Sequence, residues 1–197
     1  MTLHALPLPG AEVCLDPAWM PEADADALLA ALLREVAWEA HRIRIFGRQV
    51  DSPRLSSWIG DPQARYRYSG TLFEPRPWPA VLGPVRARLQ ETLGVGFDSV
   101  LANRYRDGRD GMGWHRDDEP ELGPAPVIAS LSLGATRRFA LKSLDGEHRF
   151  ALELPHGSLL VMRGETQRRY RHALPKTARP VGERVNLTFR KIVVPAR

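Results

Sequence analysis

The sequence predicts an α+β, β-rich fold, a sandwich or jelly roll of short strands preceded by a helical N-terminal part. Three observations point there. From residue 97 onward about seven strand-like runs follow at close spacing, separated by Gly, Pro and Asp turns. Helical periodicity is confined to two stretches before that point. The strand–helix alternation that builds a parallel sheet is missing.

Taken in order, residues 1–20 read as irregular because Pro7, Pro9 and Pro17 interrupt them. A helix follows, with Pro21 and Glu22 suited to its first turn and Leu28, Leu29, Leu32, Leu33 and Val36 as its apolar stripe. Residues 41–78 read as short strands with Gly and Pro turns, one carrying Ile43 and Ile45 and another the Tyr66-Arg67-Tyr68 alternation. A second helix is expected over 79–93, with Val81, Leu82, Val85 and Leu89 inward and Pro84 fitting only its first turn. Strands are expected at 99–106, 127–133, 136–143, 148–154, 157–163, 168–173 and 184–194. Asp145-Gly146 reads as a tight hairpin, and Gly157 opens a buried apolar run from Ser158 to Met162. The expected organisation is a single domain over 1–197, divided into an N-terminal extension and helix (1–42), a middle region with a support helix (43–96) and a jelly-roll core (97–197).

Composition narrows the class. Hydrophobic content of 43% and charged content of 26% are those of an ordinary globular chain that can bury a full core. No apolar run reaches transmembrane length, and the start lacks the basic and apolar regions of an export signal. Cys14 stands alone, which excludes an internal disulfide and fits a reducing cytoplasm. The net charge is +5, and of 28 basic residues only Lys142, Lys176 and Lys191 are lysines. Excess Arg suits phosphate, which the planar guanidinium grips bidentately, although a solvated Arg-rich surface gives the same count.

The most informative feature is His115-Arg116-Asp117, followed 57 residues later by His172. Two imidazoles and a carboxylate cap one face of a metal and leave the opposite positions open, the arrangement of non-haem Fe(II) oxygenases; Mn(II) and Zn(II) also suit this set. On extended chain residues 115 and 117 point to the same side, so both can reach one ion. Beyond them lies Arg184-Val185-Asn186-Leu187-Thr188-Phe189-Arg190, in which Arg184, Asn186, Thr188 and Arg190 line one strand face. Two guanidiniums, an amide and a hydroxyl on one face are costly to bury unless an acid partners them. Asn103 and Tyr105 alternate in the same way ahead of the metal motif, so a dicarboxylate between the two strands satisfies both sets. Surface salt bridging on an edge strand is the alternative for the arginines.

The segments Asn103-Arg104-Tyr105-Arg106-Asp107-Gly108, His115-Arg116-Asp117-Asp118-Glu119, His172 and Arg184 to Arg190 together resemble the AlkB family of Fe(II)/2-oxoglutarate dioxygenases. Within it they are most similar to the group of the second human homologue and its bacterial relatives. The resemblance covers about 43–193 and implies a double-stranded β-helix, or jelly roll, that binds Fe(II), 2-oxoglutarate and O₂ and removes alkyl groups from bases such as 1-methyladenine and 3-methylcytosine. It implies that His115, Asp117 and His172 ligate the iron. Arg184 would bridge the distal carboxylate of 2-oxoglutarate and Arg190 would lie near its keto-acid end. Asn103, Tyr105, Asn186 and Thr188 would complete that pocket.

The same resemblance makes 43–96 a nucleotide-recognition region with a hairpin. A base must leave the duplex to reach buried iron. Tyr68 matches the family aromatic that stacks on the flipped base, Tyr66 a polar aromatic beside it, and Asp118 and Glu119 acids that contact substrate. Alkylation at adenine N1 or cytosine N3 makes the base cationic, so a carboxylate there favours the lesion. Phe46, in Ile45-Phe46-Gly47-Arg48, matches an intercalating finger, and Arg48 is then placed for a phosphate. Spacing alone makes Phe46 a core residue and the tyrosines a half-buried strand face. The implied partner is alkylated DNA, double-stranded by the finger argument, met by a monomer in a bacterial cytoplasm. An RNA, single-strand or nucleotide demethylase on the same scaffold, a protein hydroxylase and a non-catalytic nucleic-acid-binding module are the alternatives. Arg168, Arg169 and Arg171 beside His172 read either as a solvated rim or as extra phosphate contacts. His41 and His148 read as surface, His156 as a turn residue and Cys14 as structural.

Overall fold

The computed structural model describes residues 2–40, 42–45, 48–68 and 71–193, with the backbone alone for 42–45, 48–51, 67, 68 and 71. Phe46 and Gly47 therefore lie outside the described residues, as do the side chains of Arg48 and Tyr68.

Two antiparallel sheets face each other. In chain order the strands are β1 (His4–Ala5), β2 (Glu12–Asp16), β3 (Arg42–Ile45), β4 (Arg48–Asp51), β5 (Leu55–Gly60), β6 (Tyr66–Tyr68), β7 (Thr71–Phe73), β8 (Ser99–Tyr105), β9 (Met112–His115), β10 (Ile128–Gly134), β11 (Arg137–Ser143), β12 (Arg149–Leu154), β13 (Leu159–Arg163), β14 (Tyr170–Leu174) and β15 (Arg184–Arg190). The helices are α1 (Glu22–Glu35), α2 (Leu82–Leu93) and the short α3 (Thr166–Arg169). The larger sheet has the order β1-β2-β13-β10-β15-β8-β5, and the smaller β12-β11-β14-β9. Two hairpins, β3–β4 and β6–β7, stand apart from both. This is the β-rich jelly roll the sequence predicts.

The helices cover the outside of the larger sheet. Ala25, Leu28 and Leu32 of α1 and Leu82, Val85 and Leu89 of α2 are buried in one cluster with Leu131, Val185, Leu187 and Phe189. Glu22 and Asp24 in the first turn of α1 and Arg34 in its last complement the helix dipole. Helix α2 begins three residues later than periodicity suggests, which places Pro84 in the first turn, where its missing N–H leaves no helix bond unmade. It ends at Gly94, whose φ of 66° is the left-handed cap that Gly adopts without strain.

Three local expectations change. The Pro-rich start is not wholly irregular: Glu12 to Asp16 pair with β13 and extend the larger sheet, with the two-residue β1 outside them, because five residues between proline breaks suffice for a strand. The Asp145-Gly146 turn is wider than a two-residue hairpin, since β11 ends at Ser143 and β12 starts at Arg149. The run expected as a strand from 168 begins as helical α3 and becomes extended only at Tyr170. His148 is exposed and His156 lies in a turn, as read.

All seven residues of β15 are buried. It is not an edge strand, since β10 and β8 flank it. Its apolar face meets the helices, so its polar face lies between the sheets, where the smaller sheet brings His115 and His172 into register on β9 and β14.

Candidate metal and co-substrate site

His115, Asp117 and His172 come together, each offering a ligand atom within 4.8 Å of the others. The two imidazole rings meet edge to face with centroids 4.2 Å apart. Nδ1 of His115 lies 2.8 Å from the carbonyl oxygen of Gly113. A carbonyl only accepts, so Nδ1 carries the proton and Nε2 keeps its lone pair for a metal. Burial, reinforced by the charge of neighbouring His115 when protonated, pushes His172 down to about 3, so this imidazole is neutral at physiological pH. Burial lowers His115 in the same direction. Neutral imidazoles are the form that ligates.

Asp117 is held on both sides. Burial acts to raise its carboxyl, but the Arg190 guanidinium and the two imidazoles outweigh that and hold it below the usual carboxylate range. Arg190 donates to Oδ1 at 2.8 Å, while Oδ2 faces His172 Nε2 at 3.9 Å. The backbone N–H of Asp117 donates to Gln167 Oε1 at 3.0 Å. One oxygen is thus fixed by a cation and the other is turned toward the shared ligand space.

The polar face of β15 lines the same cavity, together with Asn103 and Tyr105. Arg184 is 1% exposed; its Nη2 donates to Ser132 Oγ at 2.8 Å, and its Nε has no partner. Burial depresses its guanidinium to about 10. The ring of Tyr105 lies 5.5 Å away. Asn186 donates to Ser130 Oγ at 2.8 Å and accepts from Thr188 Oγ1 at 2.9 Å, forming a polar ladder along the strand. Arg190 leaves Nε and Nη1 without partners.

These residues fit a chelated metal with a dicarboxylate. The donors are two neutral imidazoles and a carboxylate on one side of a cavity, and two buried guanidiniums with unpaired N–H groups line the same space. An unpaired buried donor costs about 1–3 kcal/mol, which an anion in the cavity offsets.

Tyr66 stacks on Trp58 with centroids 4.8 Å apart, and Arg190 lies 5.9 Å from its ring. Its hydroxyl hydrogen-bonds Glu119, and burial raises both groups. Glu119 Oε2 has no partner. Asp118 is exposed and pairs with Arg116 at 2.6 Å.

Two residues of the site carried no signal in the sequence. Arg54 is 7% exposed and its Nε donates to Asn103 Oδ1 at 2.7 Å, an arrangement that arises only when β5 pairs with β8. Gln167 reaches Asp117 across 50 residues of chain, and a Gln in a helical turn has no local pattern to mark it.

Comparison with known proteins matches this geometry. Residues 12–190 match the 2OG-Fe(II) oxygenase superfamily, and the chain belongs to it. Such oxygenases use Fe(II), 2-oxoglutarate and O₂. The chain is 40% identical over 190 residues to the rat alpha-ketoglutarate-dependent dioxygenase alkB homolog 3 (91% of this chain, 64% of that protein). It is 40% identical over 183 residues to the mouse DNA oxidative demethylase ALKBH2 (87% of this chain, 77% of that protein). Within the superfamily it is a member of the AlkB family, matched equally by relatives named for the second and third homologues. The chain spans just under two thirds of the alkB homolog 3 relatives, 64% of the rat and 66% of the mouse protein. The solved structure of OsALKBH1 shares the fold, with TM-score 0.64 and 17% identity over 96% of this chain and 100% of that one. Among the described residues no helix is long and apolar enough to cross a membrane.

Proposed function

We propose that this chain is an Fe(II)/2-oxoglutarate-dependent dealkylase of damaged bases in DNA, such as 1-methyladenine and 3-methylcytosine. One observation carries the reading: an open-sided His115–Asp117–His172 set shares a cavity with Arg184, a fully buried guanidinium that has no acid partner among the described residues. The family relatives named DNA oxidative demethylase support the choice of substrate.

His115, Asp117 and His172 would hold the iron, which with 2-oxoglutarate and O₂ supplies oxidation of the alkyl carbon and releases succinate, CO₂ and formaldehyde. The protein supplies positions. Arg184 takes the distal carboxylate of 2-oxoglutarate, and Tyr105 and Asn103 close the pocket beside it. Arg190 fixes Asp117 through Oδ1 and keeps Nε and Nη1 for the other end of the co-substrate. Asn186 ties β15 to β10 through Ser130, Thr188 donates to Asn186, and the two complete the lining of the co-substrate pocket. Tyr66 orients Glu119, whose free oxygen accepts from the exocyclic amine of a flipped base and attracts its positive charge. Asp118 is assigned a substrate contact, Tyr68 the stacking face, Phe46 the wedge, beside Gly47, and Arg48 a phosphate, from the sequence alone. The wedge argues for duplex DNA. A monomer in a bacterial cytoplasm, away from membranes, completes the reading.

A panel of methyl and etheno lesions in single and double strands, scored for base repair, tests it. Repair of methylated bases with a preference for duplex is expected. Strong preference for single strands would remove the wedge, and no repair of any lesion would favour a non-catalytic binder.

A further inference from the structure

The outer face of the smaller sheet carries a cationic groove that the activity above does not use. Strand register sets Arg171, Lys142 and Arg149 side by side across β14, β11 and β12. In the next row Ala173 is buried, and Ala140 and Ala151 are small enough to leave a floor. Arg138 stands on the far side of that floor, and Trp114, 45% exposed, stands at the β9 end with Lys142 Nζ 4.4 Å from its ring centroid. Trp114, the alanine floor and three of these cations bound a groove of about 320 Å³.

Like charges directly opposite on neighbouring strands destabilise a sheet, and here two such pairs share one row. Among the described residues none of the four cations forms an ion pair; the nearby Arg116 and Arg168 are paired with Asp118 and Glu165 instead. Glu153, opposite Arg138, is the one carboxylate on these strand positions. A row of unpaired cations beside an exposed indole and a flat apolar floor matches a phosphodiester backbone with an unpaired base. Acidic peptides would satisfy the cations but leave the indole and floor uncovered.

We propose that this face binds single-stranded nucleic acid flanking the reacting base, with phosphates on Arg171, Lys142 and Arg149 and one base stacked on Trp114. Neighbouring strands lie about 4.8 Å apart, so the cationic row spans roughly 10 Å, enough for successive phosphates. The path from the active site is short. Trp114 and His115 are consecutive on β9 and point to opposite faces of the sheet. The edge is open at Gly113, where an added Cβ would meet nothing within 4 Å. The proposal rests on the nucleic-acid reading above and assigns Arg171, which flanks His172, a phosphate contact.

The test is anisotropy of a labelled, unmodified oligothymidylate over a salt series, with the variant Arg138→Ser/Lys142→Ser/Arg149→Ser. The variant removes two of the assigned phosphate contacts, Lys142 and Arg149, together with the neighbouring Arg138, and reduces the slope of log K against log salt by about 1.4 for a single strand. Trp114→Ala weakens binding by about tenfold or more, and Trp114→Phe restores most of it. Turnover of an alkylated trinucleotide, too short to reach the face, stays at the wild-type rate in the triple variant. Unchanged affinity and slope in the triple variant, or a loss confined to duplex, would overturn the proposal; a protein partner on this face would give the first result. Because binding is read without catalysis, failure of the dealkylase reading shows separately, as oligonucleotide binding that depends on these residues without repair of any lesion.

Discussion

Arg184 sits 1% exposed beside Tyr105 and Ser132 with an unpaired Nε. A buried cation without an acid is a cost in the protein alone and an asset once a carboxylate arrives. Arg184→Ala is therefore expected to raise the 2-oxoglutarate KM by about 10- to 100-fold, the worth of a charge-assisted hydrogen-bonded pair. Oligonucleotide affinity should stay nearly unchanged, and the melting temperature without co-substrate should fall little or rise. Steady-state kinetics with a thermal melt of each protein checks this, and an equal loss of DNA affinity would place Arg184 in a different pocket. Much at this scale is legible in the sequence. His115, Asp117 and His172, and the alternation from Arg184 to Arg190, are local patterns that survive folding. Arg54 and Gln167 are not legible, because each acts through a single long-range contact. Arg190 shows the limit differently: its residue type suggests an anion partner, and its Nη2 bond to Asp117 emerges only from the packing of β15 against the ligand loop.

Helix α3 is a single turn, yet it carries Gln167, 2% exposed, whose Oε1 accepts from the Asp117 backbone. Replacing it with an apolar residue of similar size leaves a buried N–H unpaired beside a proposed ligand. Gln167→Leu is expected to weaken Mn(II) affinity about 10- to 100-fold, the usual effect of removing a group that orients a metal ligand. Isothermal titration measures it, and an unchanged affinity would show that the ligand loop is held by Arg190 alone. The run preceding His172 reads as strand because Arg168 to Arg171 lack helical periodicity over so short a span. Four residues cannot be told from a strand start by pattern. Strands β10 to β14 are legible within a residue or two because turn glycines and alternating apolar residues frame them, whereas β15 starts where expected but ends at Arg190, four residues before the expected 194. Strand β2 escaped notice because its pairing partner β13 lies far along the chain and supplies the order that its own sequence does not.

At the scale of the whole molecule, α1 and α2 seal one face of the larger sheet with apolar contacts, so the polar face of β15 is left to meet the smaller sheet. The cavity is a consequence of that layering. A ligand that binds only this assembled cavity must stabilise the fold. Mn(II) with 2-oxoglutarate at about a hundredfold over their dissociation constants should add about 2.7 kcal/mol, seen as a raised melting temperature that disappears in His172→Ala. No shift in the wild-type protein would mean that the cavity does not take this pair.

The most direct measurement of the central claim is formaldehyde and succinate counted together on an oligonucleotide carrying 1-methyladenine. Equal amounts of both are expected, requiring Fe(II) and 2-oxoglutarate and lost in His115→Ala. Succinate without formaldehyde on every alkylated substrate, or formaldehyde that survives His115→Ala, would contradict the account.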